Sequence, residues 1–306
     1  MKLLITGGTG FIGSALCKTL AQHGHELIIL SRDLSRRAPS ARVTFYVWGA
    51  PEWQRAAQGV DAVINLAGEP LAAKRWSPQQ KSRIRESRLV TTRRLVEAMA
   101  RWPKKPAVLV NASAIGYYGP RGDEQLTEAD GPGEGFLADV CRAWEAEALR
   151  AESLGIRVVR LRIGLVLGCG GGALSKMVPP FRWYLGGPLG TGRQWVSWIH
   201  QDDVVGLIEW ALANPLIQGA VNATAPTPVA MREFCRRLGE ALHRPSWVLV
   251  PSFALRFLLG EMADLLLTGQ RVIPHVALQR NYPFAYPSLL QALQACVAPR
   301  AVASAA

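Results

Sequence analysis

The segment Thr6-Gly7-Gly8-Thr9-Gly10-Phe11-Ile12-Gly13 separates a short apolar run, Lys2 to Thr6, from a stretch with apolar residues at Phe11, Ile12, Ala15, Leu16 and Leu20. The first run suits a strand and the second a helix. The informative spacing is Gly7-x-x-Gly10-x-x-Gly13. Glycine at the first position permits a tight turn with unusual dihedrals. At the second it lets a pyrophosphate approach the backbone, and at the third it lets the helix pack closely on the strand. The helix N-terminus adds free N–H groups and a positive dipole end. This arrangement points to a bound dinucleotide, with Gly7, Thr9, Gly10, Phe11, Ile12 and Gly13 around it. The competing reading is a purely structural glycine turn.

Beyond Gly24, which ends the first helix, Glu26 to Leu30 is a continuous apolar run of the kind a buried parallel strand requires. Further strands are expected at Val43–Val47, Asp61–Leu66, Ala107–Ala112 and Arg157–Leu161. Helices are expected at Pro78–Trp102 and Ala138–Ser153. Strands alternating with helices predict an α/β fold, a doubly wound parallel sheet of Rossmann type. The dinucleotide-binding domain is expected over residues 1–230. The glycines at 170–172 and 186–190 mark a loop excursion over about 165–198. A smaller C-terminal α/β lobe is expected over 231–306.

The end of the second strand separates NAD from NADP. An acidic residue there accepts the ribose 2′-hydroxyl of NAD. This chain has Ser31 followed by Arg32, which suit a 2′-phosphate, with Arg36 and Arg37 near enough to assist. NADP is therefore the expected cofactor. The other reading makes Arg32 a solvated loop residue. Asn65-Leu66-Ala67-Gly68 ends the fourth strand, where small residues let adenosine and ribose lie against the backbone.

The 35 Lys and Arg against 23 Asp and Glu give a net charge of +12, which points to an anionic partner. No long basic tract or nucleic-acid-binding signature accompanies that charge, and a phosphate-rich ligand accounts for it equally well. The five cysteines are dispersed, without a Cys-x-x-Cys pair, and predict a reduced, cytoplasmic chain with no metal site. Phe253 to Leu267 is apolar but interrupted by Arg256, Glu261 and Asp264. It reads as an amphipathic helix too short and too charged to span a bilayer. No membrane or nucleic-acid partner is expected.

Gly7 to Gly13, Asn65 to Gly68 and Ser113-Ala114-Ile115-Gly116-Tyr117-Tyr118-Gly119 together resemble the extended short-chain dehydrogenase/reductase superfamily. More narrowly the chain resembles its atypical nucleoside-diphosphate-sugar epimerase-like subfamily, also labelled cell-division-inhibitor-like. Trp198-Ile199-His200 and Gly269-Gln270-Arg271-Val272 support the likeness. It implies a cofactor site lined by Ser31, Arg32, Leu66, Ala67, Arg83 and Arg88. By analogy with extended relatives it also implies a homodimer.

Short-chain dehydrogenases place a Ser or Thr after strand five and a Tyr-x-x-x-Lys on the next helix, where Tyr passes a proton. Ser113 occupies the serine place and also adjoins the cofactor. The Tyr-x-x-x-Lys is missing: anchoring on Glu145 sets Leu137 and Cys141 at those two positions. Tyr117 and Tyr118 are substitute proton donors, or else pocket-shaping residues. His200 is an acid–base candidate or a loop-bonding imidazole. Cys141 reads as a packing residue, Glu145 as an ion-pair partner and Asp203 as structural.

Two functions follow. One is an NADP(H)-dependent oxidoreductase or epimerase acting on a small or nucleotide-linked substrate. The other is a non-catalytic NADP(H)-binding sensor or regulator.

Overall fold

The apolar runs pair as their β-branched composition requires. The computed structural model describes residues 1–34 and 41–298. Arg36, Arg37 and the Ala-rich tail after Pro299 lie outside the described residues. Seven strands form one sheet: β1 (Lys2–Thr6), β2 (Glu26–Ser31), β3 (Val43–Val47), β4 (Ala62–Asn65), β5 (Val108–Ala114), β6 (Arg157–Ile163) and β7 (Gly219–Ala223). Their order is β7-β6-β5-β4-β1-β2-β3. All neighbours run parallel. Strand order reverses at β1, between β2 and β4. A crevice at the carboxyl ends of the strands at such a switch point is where α/β sheets bind ligands.

Side chains alternate across the sheet with period two. Leu3, Ile5, Leu27, Ile29 and Ile64 face one side, beneath α1 (Phe11–Gln22) and, further along the chain, Gln201–Ala213. Leu4, Ile28, Val63 and Leu109 face the other, against Leu95 and Met99 of α2 (Pro78–Arg101) and Ala148 of α3 (Phe136–Leu149). We call Gln201–Ala213 α4, Met231–Leu242 α5 and Leu289–Val297 α6.

Local chemistry sets the helix ends. At the end of α1, Gly24 has φ +84°, and its N–H reaches Ala21 O while His25 N–H reaches Leu20 O. These are the two bonds of a Schellman stop. At the start of α2, Ser77 Oγ accepts from Gln80 N–H and Pro78 occupies the first turn. Both features favour a helix start.

Three expectations differ from the structure. The sequence does not predict a strand at Gly219–Ala223, which adds an edge beside β6. The stretch expected as one amphipathic helix is divided into Ser252–Leu259, a 3-10 turn at Gly260–Ala263 and Asp264–Leu267. Gly260 breaks it with φ +60°, a conformation that a helix cannot hold. The helix expected to reach Ser153 ends at Leu149.

The chain after β6 leaves the sheet. Leu167 and Trp198 of this excursion share a core with Phe234 and Leu238 of α5 and with Leu293 of α6. Among the described residues, no helix is long and apolar enough to cross a membrane.

Candidate functional site

The turn after β1 contains two glycines that the protein's own backbone demands. Gly7 has φ +70°, and a Cβ there would lie 2.6 Å from the carbonyl group of Leu66. A Cβ on Gly13 would lie 2.2 Å from Gly7 O. Neither position admits a side chain. Gly10 differs: its φ is −80°, and a Cβ would meet only Gly7 O, at 3.2 Å. It is exposed, at the start of α1, and no side chain caps that helix. The N-terminal N–H groups of α1 therefore point outward over bare backbone, an arrangement suited to an anion.

A second glycine loop closes on this turn. Cβ atoms on Gly168, Gly171 or Gly172 would each come within 2.9 Å of the Phe11 ring. Gln201 Nε2 donates to Phe11 O at 2.7 Å. Gly168, Gly171 and Gly172 thus belong to the packing of the glycine turn, whereas Gly170 faces open space.

Beneath the crevice lies a buried amide network. Thr6 Oγ1 donates to Asn65 Oδ1 at 2.6 Å, and Asn65 Nδ2 donates to Asn111 Oδ1 at 2.6 Å and Thr92 Oγ1 at 2.9 Å. Trp144 Nε1 also donates to Thr92 Oγ1. One network therefore ties the carboxyl ends of β1, β4 and β5 to α2 and α3. Buried polar groups joined in this way fix a single arrangement of the elements that carry them.

Leu66, Ala67 and Gly68 follow Asn65 along this wall. Arg88 lies directly behind Gly68, where a Cβ would be 3.1 Å from its guanidinium carbon. Its Nη1 donates to Ile84 O and Glu69 O at 2.9 and 3.1 Å, and it packs 5.2 Å from the Trp144 ring. Burial lowers the Arg88 pKa. Arg88 thus braces the loop after β4. Arg83 is exposed, one turn before Ser87, whose hydroxyl accepts from Glu69 N–H. At the end of β2, Ser31 Oγ donates to Asp33 O at 2.8 Å. Arg32 extends into solvent, its Nη1 4.0 Å from Glu69 Oε2.

Ser113, next to last in β5, is buried, and its hydroxyl donates to Glu145 Oε1 at 2.7 Å. Glu145 also accepts from Arg162 Nε at 2.9 Å, Arg162 Nη2 at 3.0 Å and Arg160 Nη1 at 2.9 Å. Four accepted bonds fill a carboxylate. The first influence on Arg162 is burial, which disfavours its charge; Glu145 and Tyr118 outweigh it and raise its pKa.

The two candidate tyrosines diverge. Tyr118 is fully buried; it donates to Asn222 Oδ1 at 2.7 Å and accepts from Arg162 Nη1 at 2.9 Å. Burial pushes its pKa up to about 12, so its proton is held. Tyr117 lies with its ring 3.5 Å from the Arg162 guanidinium carbon. Its hydroxyl has no hydrogen-bond partner among the described residues.

On α3, Leu137 packs on Gly116, and Cys141 is buried beside Ser113, its thiol pushed up to about 11 by burial. His200 is buried and caps α4: its Nδ1 accepts from Asp202 N–H at 3.2 Å, and its ring lies 3.8 Å from that of Tyr286. Asp203 accepts from the N–H groups of Ala285 and Tyr286, which fastens the C-terminal segment to α4. His200 belongs to this fastening and, among the described residues, makes no hydrogen bond or ring contact with Ser113, Tyr117 or Tyr118.

Sequence reasoning did not single out Arg162, Arg160, Asn222 or Thr92. The available signal was charge inside an apolar strand: Arg160 and Arg162 interrupt the β6 run. A charged residue in a buried strand needs a partner.

The sequence matches the NAD dependent epimerase/dehydratase family over residues 3–223 and a domain of unknown function, DUF1731, over 250–296. It is 44% identical over 305 residues to the chloroplastic epimerase family protein SDR39U1 homolog of Arabidopsis thaliana, covering 96% of this chain and 86% of that one. It is 39% identical to the epimerase family protein YfhF of Bacillus subtilis, covering 98% and 99%. The crystal structure of human epimerase family protein SDR39U1 with NADPH superposes with a TM-score of 0.86 at 34% identity, covering 96% and 98%. A seven-stranded sheet with its glycine turn at the switch point, matched across most of the chain, has one reading: this protein belongs to the NAD-dependent epimerase/dehydratase family.

Proposed function

We propose that this chain binds NADP(H) and acts as a short-chain dehydrogenase-like oxidoreductase or epimerase on a small or nucleotide-linked substrate. The observation that carries the reading is Gly10, bare outward-facing backbone at the uncapped start of α1. The chain leaves open there the space that a pyrophosphate would fill. Ser31 and Arg32, at the end of β2, would hold a 2′-phosphate, and Leu66, Ala67 and Gly68 would lie along the adenosine. The human relative crystallised with NADPH supports this assignment.

The nicotinamide of such a cofactor supplies or accepts a hydride. The protein's own contribution is proton handling and orientation. Ser113 donates its hydroxyl hydrogen bond to Glu145, which leaves its oxygen lone pairs to accept from a substrate hydroxyl. Tyr118 is committed on both sides, so Tyr117 is the hydroxyl free to pass a proton. Arg162, held by Glu145, fixes the Tyr117 ring from beneath.

A second reading is a non-catalytic NADP(H) sensor. It is favoured by Leu137 and Cys141 on α3, where the usual proton-passing pair would stand.

Fluorescence titration tests the shared part: NADPH should bind more tightly than NADH, and the reverse order sinks the assignment. Turnover of NADPH with a panel of carbonyl compounds and sugar nucleotides then separates the two readings. Turnover lost in Ser113→Ala or Tyr117→Phe marks the enzyme; tight binding without turnover marks the sensor.

A further inference from the structure

Two segments, joined to the loop after β4 by the bonds of Arg75 Nη2 to Phe257 O at 3.3 Å and Lys176 Nζ to Ala72 O at 2.6 Å, meet to form an apolar face. Trp247 Nε1 donates to Tyr184 O at 2.8 Å, Trp247 N–H donates to Gly186 O at 3.1 Å, and Gly190 N–H donates to Val250 O at 2.9 Å. Trp183, Tyr184, Trp247, Phe253, Phe257 and Leu258 stand out from this joined surface, each between 52 and 82% exposed. Phe253 and Phe257 are one helical turn apart on Ser252–Leu259, while Leu255 turns inward and is buried. Side chains this large are seldom clustered in solvent without a partner.

The charge carried by the two segments themselves is of one sign, with Glu261 and Asp264 following just beyond the second. Residues 174–193 and 243–259 contain Lys176, Arg182, Arg193, Arg244 and Arg256 and no Asp or Glu. Of these five, only Arg256 has a carboxylate partner among the described residues, Asp264 at 3.1 Å. A second copy of the chain meeting this face across a two-fold axis would set cations against cations. Exposed Trp, Tyr and Phe on segments that also carry Arg and Lys match a different occupant. Amphipathic aromatic rings settle at the headgroup level, and basic side chains meet lipid phosphates.

We propose that this face docks the protein on the surface of an anionic lipid bilayer, peripherally and without spanning it. The proposal goes beyond the expectation of no membrane partner, which rested on the lack of a spanning segment.

The test is co-sedimentation of the full chain with phosphatidylcholine vesicles, with and without phosphatidylglycerol. The protein should sediment with the anionic vesicles, with partitioning about tenfold weaker or more on neutral ones and at high salt. The double variant Phe253→Ser/Phe257→Ser should partition at least about tenfold more weakly, the effect of losing one or two buried aromatic side chains. Arg182→Glu/Arg244→Glu should lose the preference for anionic lipid. Phe253, Phe257 and Arg182 are exposed and Arg244 is half-buried against Tyr184, and an unchanged far-UV spectrum and thermal midpoint check each fold. Absence of sedimentation with anionic vesicles overturns the proposal, as does a phenylalanine variant that binds like the parent. A parent dimer in sedimentation velocity that the phenylalanine variant converts to monomer assigns the face to a second copy and also overturns it.

Discussion

Ser113 and Glu145 are joined across β5 and α3 by a 2.7 Å hydrogen bond, and the same carboxylate holds Arg162 through two parallel ones. Both charged side chains are only 3% exposed. The pair is therefore stable only as a pair. Removing one member leaves a buried charge uncompensated, at a cost of about 3–5 kcal/mol. Glu145→Leu should lower stability by that amount in urea denaturation. Replacing both, Glu145→Leu with Arg162→Leu, should recover only part of the loss, because the buried Arg162 charge is gone but Ser113 and Arg160 still lose the carboxylate they share. A single substitution costing less than about 1 kcal/mol would show that the pair does not hold β5, β6 and α3 together.

The three fingerprint glycines should separate by phenotype. A Cβ at Gly13 has no room, so Gly13→Ala should cost several kcal/mol, in the range of severe single substitutions above about 4 kcal/mol. Gly10→Ala meets only one atom, at 3.2 Å, with an ordinary φ. It should fold with a loss under about 1 kcal/mol. Its methyl group would stand where the pyrophosphate approaches, and NADPH affinity should fall about tenfold or more. If Gly10→Ala retained full affinity, the outward-facing backbone at the start of α1 would have no part in binding.

These contrasts also show what could be read from the sequence. The first two strands and the glycine turn were legible because each depends on residues adjacent in the chain: an apolar run, then Gly7-x-x-Gly10-x-x-Gly13. Gly219–Ala223 was not, because Gly-Ala-Val-Asn-Ala has weak strand propensity and becomes a strand through pairing with β6. The bond between Ser113 and Glu145 spans 32 residues and that between Tyr118 and Asn222 spans 104, so no local period announces either. Both tyrosines were candidates from position alone. What distinguishes them is burial, and burial is a tertiary property. His200 follows the same logic: its type suggested acid–base work, and its place at the end of Trp198–His200 makes it a helix cap.

Cofactor choice should turn on Arg32. Its side chain is 86% exposed and only loosely opposed by Glu69 at 4.0 Å, so it can swing toward a 2′-phosphate. A hydrogen bond to a charged group contributes about 1.5–3 kcal/mol. Arg32→Glu should therefore weaken NADPH binding by about tenfold to a hundredfold while leaving NADH within about threefold. Titration of both cofactors against parent and variant measures the ratio. An unchanged ratio would assign Arg32 to solvent.

Stability should fall in mild acid because of His200. Burial, the largest influence, lowers its pKa below the ordinary 6.5, against the opposing pull of Asp202 and Asp203. Tyr286 covers the ring, and Nδ1 accepts from Asp202 N–H, a bond that neutral imidazole can make and imidazolium cannot. The unfolded chain therefore binds this proton more readily than the folded one. The stabilising contribution is fully present above pH 6.5 and is lost as pH falls through the folded pKa. The loss can be no steeper than about 1.4 kcal/mol per pH unit for one proton. His200→Asn keeps a capping acceptor and removes the titration. Its stability curve should lie below the parent at pH 7.5 and approach it toward pH 5, measured by urea denaturation across that range. Parallel curves would place the acid sensitivity elsewhere, with no contribution from the imidazole.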